Sequence, residues 1–186
     1  MLVKGPFAAG SAPDSLPPEA VPSFASLYRE RFDRVWGVLR ALGVPAEALE
    51  DAAQEVWIVV YRRIADFEGR SRIDTWLFGI ALNVARNWRR AERRKTDVAP
   101  LPEEVASAEP DAAALRQGRE AWLLVERFVS TLDPERREIF VGGLLQGFSA
   151  PEVADATGAD IATVYNRIRA LRRSFRTWAE KENYEL

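Results

Sequence analysis

The chain of 186 residues contains no cysteine and no histidine. These absences exclude disulfides, thiolate and imidazole metal ligands, cysteine nucleophiles and histidine acid–base catalysis. Prolines and glycines interrupt the apolar stretches near the N-terminus, and no run approaches the roughly 18 apolar residues of a membrane helix. Since the missing cysteines also agree with a reducing compartment, we expect a soluble, cytoplasmic protein.

The composition and the spacing of apolar residues predict an all-α protein. Hydrophobic residues make up 47% and charged residues 29% of the chain, which is typical of globular proteins. Strand-like alternation is lacking and helical spacing prevails. We predict a flexible N-terminal tail over residues 1–22, a helical domain over 23–95, a flexible acidic linker over 96–118 and a second small helical domain over 119–186.

The net charge of −2 hides a segregation of charge along the chain. Residues 86–95 contain six basic side chains and one acidic one, and residues 163–176 contain five arginines and no acid. Local concentrations of positive charge favour binding to phosphates, whatever the total charge of the protein. Both stretches are therefore candidate nucleic-acid surfaces.

The segment from Leu49 to Phe67 has the pattern of an amphipathic helix with one buried face. The opposite face carries an isoleucine among polar and charged side chains: Asp51, Gln54, Glu55, Ile58 and Arg62. Such a face suits docking of a basic protein partner. A solvated helix face with one stray apolar residue is the alternative.

The next segment, from Ile73 to Lys95, also predicts a helix with two different faces. Its core stripe consists of Ile73, Trp76, Leu77, Ile80, Val84 and Trp88, and its far face carries Phe78, Leu82, Arg86, Arg89 and Arg90. Arginines pair with phosphates and aromatic rings stack on unpaired bases, so the far face suits single-stranded nucleic acid. Packing of Phe78 against a neighbouring helix is the alternative.

Two helices separated by a glycine form a helix-turn-helix pattern in the second domain. Helix starts are predicted at Asp133 and Ser149, each followed within two residues by proline, and Gly158 precedes a further helix that starts near Asp160. That last helix has a narrow apolar face of Val164, Ile168, Leu171 and Phe175 and a polar face of Tyr165, Asn166, Arg169, Arg172, Arg173 and Arg176. Its polar N-terminal residues suit a DNA major groove. An ordinary helical hairpin with solvated arginines is the alternative.

Three segments together resemble one known family. In chain order, SLYRERFDRVWGVLR, EDAAQEVWIVVYRRIADFEGRSRIDTWLFGIALNVARNWRR and LDPERREIFVGGLLQGFSAPEVADATGADIATVYNRIRALRRSFR resemble an extracytoplasmic-function (ECF) sigma factor of the sigma-70 superfamily. The resemblance implies sigma region 2 in the first domain and region 4 in the second. It also implies binding to the clamp helices and the flap of core RNA polymerase, to promoter DNA and to an anti-sigma factor, without a catalytic residue, metal or cofactor.

The resemblance also implies roles for individual residues. The polymerase contacts would be Asp51, Gln54, Glu55, Ile58 and Arg62. The contacts to the minus-ten promoter element would be Phe67, Arg70, Ser71, Asn83, Arg86, Asn87 and Arg90. The contacts to the minus-thirty-five element would be Ala162, Thr163, Tyr165, Asn166, Arg169 and Arg173. The pair Tyr165-Asn166 replaces a lysine-serine pair common in the family, so the promoter preference of relatives does not transfer.

Three other functions compete with this interpretation. An operator-binding regulator would use the same helix-turn-helix on a palindromic site without polymerase. A metal-dependent nuclease would need Glu50, Asp51 and Glu55 as ligands, although Glu50 and Asp51 point about 100° apart on a helix. A structural adaptor would use Ile58 but leave the arginine-rich helix without a role.

Overall fold

The computed structural model describes residues 22–96 and 114–182. The predicted tail, except for its last residue, and most of the predicted linker lie outside these ranges. The described residues form seven α-helices and no strand, which confirms the all-α prediction: α1 Phe24–Ala41, α2 Leu49–Arg63, α3 Ile73–Thr96, α4 Ala114–Ser130, α5 Pro134–Phe140, α6 Ala150–Thr157 and α7 Ile161–Lys181. Helix α4 begins at Ala114, inside the stretch predicted as linker.

Local side-chain caps explain where several helices begin. The carboxylate of Asp133 accepts the amide of Arg136 at 2.9 Å ahead of α5. Ser149 and Glu152 form a reciprocal capping box ahead of α6, in which each side chain accepts the other residue's amide. These contacts satisfy amides that have no partner inside the helix. They confirm the helix starts predicted at Asp133 and Ser149.

Helices α1, α2 and α3 pack together around a shared apolar core. Leu39 of α1, Val56 and Val60 of α2, and Leu82 of α3 are completely buried. The stripe predicted on α3 is buried from Ile73 to Val84, whereas Trp88 is half-buried. Short 3-10 turns at residues 46–48 and 64–66 flank α2 and set its direction relative to α1 and α3.

Helices α4 to α7 have an aromatic core of their own. The ring of Phe128 lies 5.2 Å from that of Phe140 and 5.1 Å from that of Phe175, measured between centroids. Helix α5 continues as one π-helical turn over residues 141–145. A Cβ atom on Gly143 would stand 2.8 Å from Cδ1 of Ile168, so glycine permits the close approach of this turn to α7.

The two halves of the chain are packed against each other, chiefly through α3 and α6. The rings of Phe78 and Phe148 lie 5.4 Å apart across the contact, and both side chains are buried. Phe78 and Leu82 therefore belong to the apolar core in this arrangement. For Phe78, the structure favours packing over base contact.

Candidate functional site

One face of α2 remains open to solvent. Ile58 is 44% exposed. All five side chains predicted to contact polymerase are exposed on this helix: Asp51, Gln54, Glu55, Ile58 and Arg62. Glu55 also accepts the indole N–H of Trp88 at 2.9 Å, which ties the face to α3. The structure thus brings these residues together on one surface that can meet a partner.

An aromatic groove between α1 and α2 adjoins this face. Aromatic side chains repeat every fourth residue of α1 and meet two aromatics of α2: Phe24, Tyr28, Phe32, Trp36, Trp57 and Tyr61. Tyr61 is 68% exposed, and its ring packs edge-on against Phe24 at 5.2 Å. The sequence prediction missed the groove, although the spacing of four places its α1 side chains on one face.

The residues predicted to contact the minus-ten element are divided between exposed and buried positions. Asn83, Asn87 and Arg90 are exposed along α3, with Asn87 accepting a hydrogen bond from Arg90 at 2.6 Å. Arg70 is exposed and pairs with Glu68, whereas Ser71 is half-buried. The exposed residues lie in two places, Asn83, Asn87 and Arg90 along α3 and Arg70 in the loop before its N-terminus.

Phe67 and Arg86 are the two exceptions among these residues. Phe67 is buried, with its ring 5.3 Å from that of Trp76. Arg86 makes two hydrogen bonds to the carboxylate of Glu138, at 3.1 and 2.5 Å, and a third to the carbonyl of Thr157 at 2.9 Å. Phe67 is therefore not available to DNA in this arrangement, whereas the side chain of Arg86 is 32% exposed but its guanidinium group is held by Glu138 and Thr157 through Nε and Nη2.

The N-terminal half of α7 presents a second polar and basic surface. Residues predicted to contact the minus-thirty-five element are exposed there, apart from half-buried Thr163: Ala162, Tyr165, Asn166, Arg169 and Arg173. Arg169 and Arg173 line a shallow concavity together with Arg172 and Arg176. Four guanidinium groups without a carboxylate among the lining side chains favour an anionic ligand.

The described part of the chain shows neither a metal site nor a membrane-spanning helix. It contains no group of three or more acidic, histidine or cysteine side chains placed to hold a metal ion. No helix within it is both long and apolar enough to cross a membrane. The pKa of the Glu152 carboxyl departs from its ordinary value, and the groups that contact this carboxyl are those that hold the helices together.

The contacts of Glu152 explain this pKa. Partial burial alone would raise it, but hydrogen bonds from the amide and hydroxyl of Ser149 and from the hydroxyl of Thr75 outweigh burial. The positive charge of Arg72 acts in the same direction. The pKa of the Glu152 carboxyl is therefore lowered, as expected of a carboxylate that caps a helix.

Comparison with known proteins identifies one domain and shows what the chain is similar to. Residues 27–95, which span most of α1 and nearly all of α3, match the model of sigma-70 region 2. The chain is 26% identical over 169 residues to the ECF RNA polymerase sigma factor SigE of Mycolicibacterium smegmatis. That alignment covers 89% of this chain and 65% of SigE, slightly less than two thirds of SigE. Residues 27–95 therefore form a sigma-70 region 2 domain, and the chain is similar to ECF sigma factors.

Other relatives show the same similarity. The ECF RNA polymerase sigma-E factor of Escherichia coli is 28% identical over 140 residues, covering 70% of this chain and 73% of the relative. Among solved structures, the fold is similar to that of CnrH in complex with the cytosolic domain of CnrY, with a TM-score of 0.60, 22% identity and coverage of 85% and 88%.

A second solved structure extends the similarity in fold. RpoE in complex with the anti-sigma factor NepR from Bartonella quintana has a TM-score of 0.63 at 18% identity, over 84% of this chain and 96% of that chain. The matched portions exceed the length of region 2, so both halves of this chain contribute to the likeness in fold.

Proposed function

We propose that this sigma factor binds core RNA polymerase and directs transcription initiation at specific promoters under the control of an anti-sigma factor. The observation that carries the proposal is the exposed face of α2, which lies inside the region 2 match and combines an exposed isoleucine with charged neighbours. Sigma factors initiate transcription without catalysing a reaction themselves, and they act in the cytoplasm together with polymerase.

Polymerase binding is assigned to the α2 face and the aromatic groove beside it. Ile58 and Tyr61 expose apolar surface, while Asp51 and Glu55 supply negative charge on the same helix. Aromatic and aliphatic anchors surrounded by polar groups are typical of protein interfaces with a few dominant contacts. A helical partner segment with apolar and basic side chains, such as the clamp helices of core polymerase, fits this combination.

DNA binding is assigned to α7 and to the exposed part of α3. Asn166 and Arg169 near the start of α7 are types of side chain that read adenine and guanine bidentately, and Arg173 fixes a phosphate. Asn83, Asn87 and Arg90 of α3 would line the separated strand at the minus-ten element. Because the net charge of the chain is −2, we expect weak DNA binding by the free protein and strong binding with polymerase.

Control by an anti-sigma factor is proposed from two considerations. The solved structures of CnrH and RpoE each contain a second protein, described for RpoE as an anti-sigma factor. In this sigma factor, Tyr28, Ile58 and Tyr61 expose apolar surface beside the α2 face. An inhibitor that covered this surface would block polymerase binding directly.

The test measures binding to core polymerase for two variants that gain the same charge. Ile58→Glu places a carboxylate in the α2 face, and Ala46→Glu places one at an exposed position just before α2. We expect Ile58→Glu to weaken binding at least about tenfold, because hot-spot side chains at an interface contribute about 2 kcal/mol or more each. Ala46→Glu should bind like the wild type.

Circular dichroism and thermal unfolding of both variants serve as folding controls. Equal binding by Ile58→Glu and wild type would refute the role of the α2 face. Absence of binding by the wild type, together with tight binding to a palindromic duplex without polymerase, would instead establish an operator-binding regulator.

A further inference from the structure

We infer that the aromatic groove between α1 and α2 is a binding site for a small, hydrophobic organic cation. The class comprises molecules with an ammonium or phosphonium centre that carries aromatic or aliphatic substituents. Binding of such a ligand is a function additional to the contact with polymerase. It does not depend on the proposed function, whereas its effect on polymerase binding does.

The groove has the size and the lining of a small-molecule site. Its volume is 650 Å³, and ligand pockets commonly hold about 300 to 1,000 Å³. The rings of Trp57 and Tyr61 each meet that of Phe24 edge-on, at 6.1 and 5.2 Å. In an edge-on pair, one ring keeps both faces uncovered by the other, and ring faces attract cations. The lining therefore favours a ligand that is both apolar and positively charged.

Two carboxylates add negative charge at one end of the groove. Glu50 and Asp51 line it and are exposed, and within the described part of the chain neither is paired with a cationic side chain. The contact of Phe24 with Tyr61 places the start of α1 beside the end of α2, so the two helices run antiparallel. Trp36, near the end of α1, therefore shares the opposite end of the groove with the carboxylates. A cation bound there meets an aromatic ring and negative charge together.

The positive charge in the groove is remote from this end. Arg62 lines the groove beside Tyr61. It follows Asp51 by eleven residues, which is about 16 Å along a helix axis. Exposed charges are screened over about 8 Å at physiological ionic strength. Arg62 therefore repels a cation near Asp51 only weakly, and the carboxylates decide which sign of ligand is bound.

The carboxylates also have a role in the helix itself. Both lie in the first turn of α2, where acidic side chains interact favourably with the helix dipole. That role needs no aromatic neighbour and does not involve a ligand. Ligand binding requires the carboxylates and the rings together, so substitutions of each kind separate the two roles.

A ligand in the groove would compete with polymerase. Asp51 and Ile58 line the groove and also belong to the α2 face proposed to bind polymerase. A bound cation would cover both side chains. The groove would then let a small molecule reduce transcription initiation without a protein inhibitor.

The test uses two probes of similar size and shape but opposite charge. Tetraphenylphosphonium is a cation and tetraphenylborate is an anion. Isothermal titration calorimetry of the full chain, in sodium buffer, measures the affinity of each, and amide chemical shifts in NMR spectra locate the site. We expect the cation to bind at least about tenfold more tightly, because one charge at close range changes affinity about fivefold in water. The shifts should be confined to α1 and α2.

Three variants separate the contributions of charge and of the rings. Asp51→Asn removes a charge from the groove, and Asp155→Asn removes the same charge from an exposed position of α6 outside it. We expect Asp51→Asn to weaken tetraphenylphosphonium binding about fivefold and Asp155→Asn to leave it unchanged. Trp36→Leu keeps an apolar side chain without the ring, so it should weaken the cation about threefold and leave the anion unchanged. Tyr28→Leu, at a position that is 39% exposed, replaces this variant if circular dichroism shows that it is unfolded.

Several results would overturn the site. These are equal affinities for the two probes, wild-type affinity in Asp51→Asn, or shifts centred outside α1 and α2. Shifts in residues 1–21 as large as those in the groove would indicate that the N-terminal segment is the natural occupant. A dimer in light scattering that dissociates as the cation is added would indicate a second copy of the chain. Either of these two results would also overturn the inference.

The effect on polymerase is measured separately. Binding of the wild type to core polymerase is recorded with saturating tetraphenylphosphonium and with the same concentration of tetraphenylborate. We expect only the cation to weaken binding, and unchanged binding would overturn the competition. A wild type that does not bind polymerase without either probe would refute the proposed function. The probe titrations contain no polymerase, so they would still decide whether the groove binds organic cations.

Discussion

Substitution of Gly43 by alanine tests the packing of the two halves through one close contact. Gly43 ends α1 with a φ of 84°, a left-handed conformation that costs alanine about 1 kcal/mol. A Cβ atom there would also stand 2.1 Å from Nη1 of Arg137, a residue of α5 in the other half. The guanidinium group must therefore move if the halves stay together.

The cost of moving Arg137 follows from its hydrogen bonds. Its side chain donates to the carbonyls of Val129, Ser130 and Leu132 at 3.2 to 3.4 Å, where α4 ends. Burial, and then the nearby charge of Arg89, lower the pKa of Arg137. Partial loss of these bonds adds about 1 to 3 kcal/mol, so we expect Gly43→Ala to lower the free energy of unfolding by about 2 to 4 kcal/mol.

Urea unfolding followed by circular dichroism measures this loss, with Gly69→Ala as the matched control. Gly69 has a φ of 68°, and a Cβ atom there meets nothing within 4 Å, so only the backbone cost of about 1 kcal/mol applies. When Arg137 is first replaced by alanine, Gly43→Ala should lower the free energy of unfolding by no more than Gly69→Ala does. Equal losses for the two glycine variants would refute the close contact and with it the packed arrangement.

Three further predictions concern the core, the DNA surface and acid stability. Phe140→Ala should lower the free energy of unfolding by about 3 to 5 kcal/mol in urea, because the ring is 1% exposed and packs on Phe128. Arg173→Ala should change stability by less than about 0.5 kcal/mol, yet reduce the slope of promoter affinity against log salt by about 1 in polymerase-containing binding assays. Because the pKa of Glu152 is lowered in the folded protein, its ionised carboxylate stabilises the fold at pH values above 4.5, the ordinary pKa of this group. This stabilisation is lost as the pH falls through the lowered pKa. Urea titrations at neutral and acid pH should therefore show that Glu152→Gln destabilises the protein at pH 7 and that the difference from wild type shrinks in acid.

Local signals made much of the fold predictable from the sequence. Asp133 and Ser149 act through hydrogen bonds to residues three positions away, so the sequence alone contains both partners. Gly158 adopts a φ of 75° at the end of α6, as its position in the pattern predicts. The face of α2 was predictable because helical spacing separates its buried from its exposed residues.

Long-range partners were not predictable in the same way. Glu138 lies 52 residues after Arg86, and nothing near either residue indicates that they meet. The far face of α3 therefore had the appearance of a free surface, although Phe78 packs on Phe148 of the other half and Leu82 is completely buried. The exposed positions of Asn166 and Arg169 agree with the predicted DNA surface, but their DNA contacts remain predictions.

Runoff transcription with purified core polymerase tests the central claim most directly. Pooled genomic promoter fragments from the source organism are transcribed with and without the protein, and Ile58→Glu serves as the variant with an altered polymerase surface. We predict discrete new start sites that depend on the wild-type protein and weaken with Ile58→Glu. No new start site, with no binding of the protein to core polymerase, would contradict its function as a sigma factor.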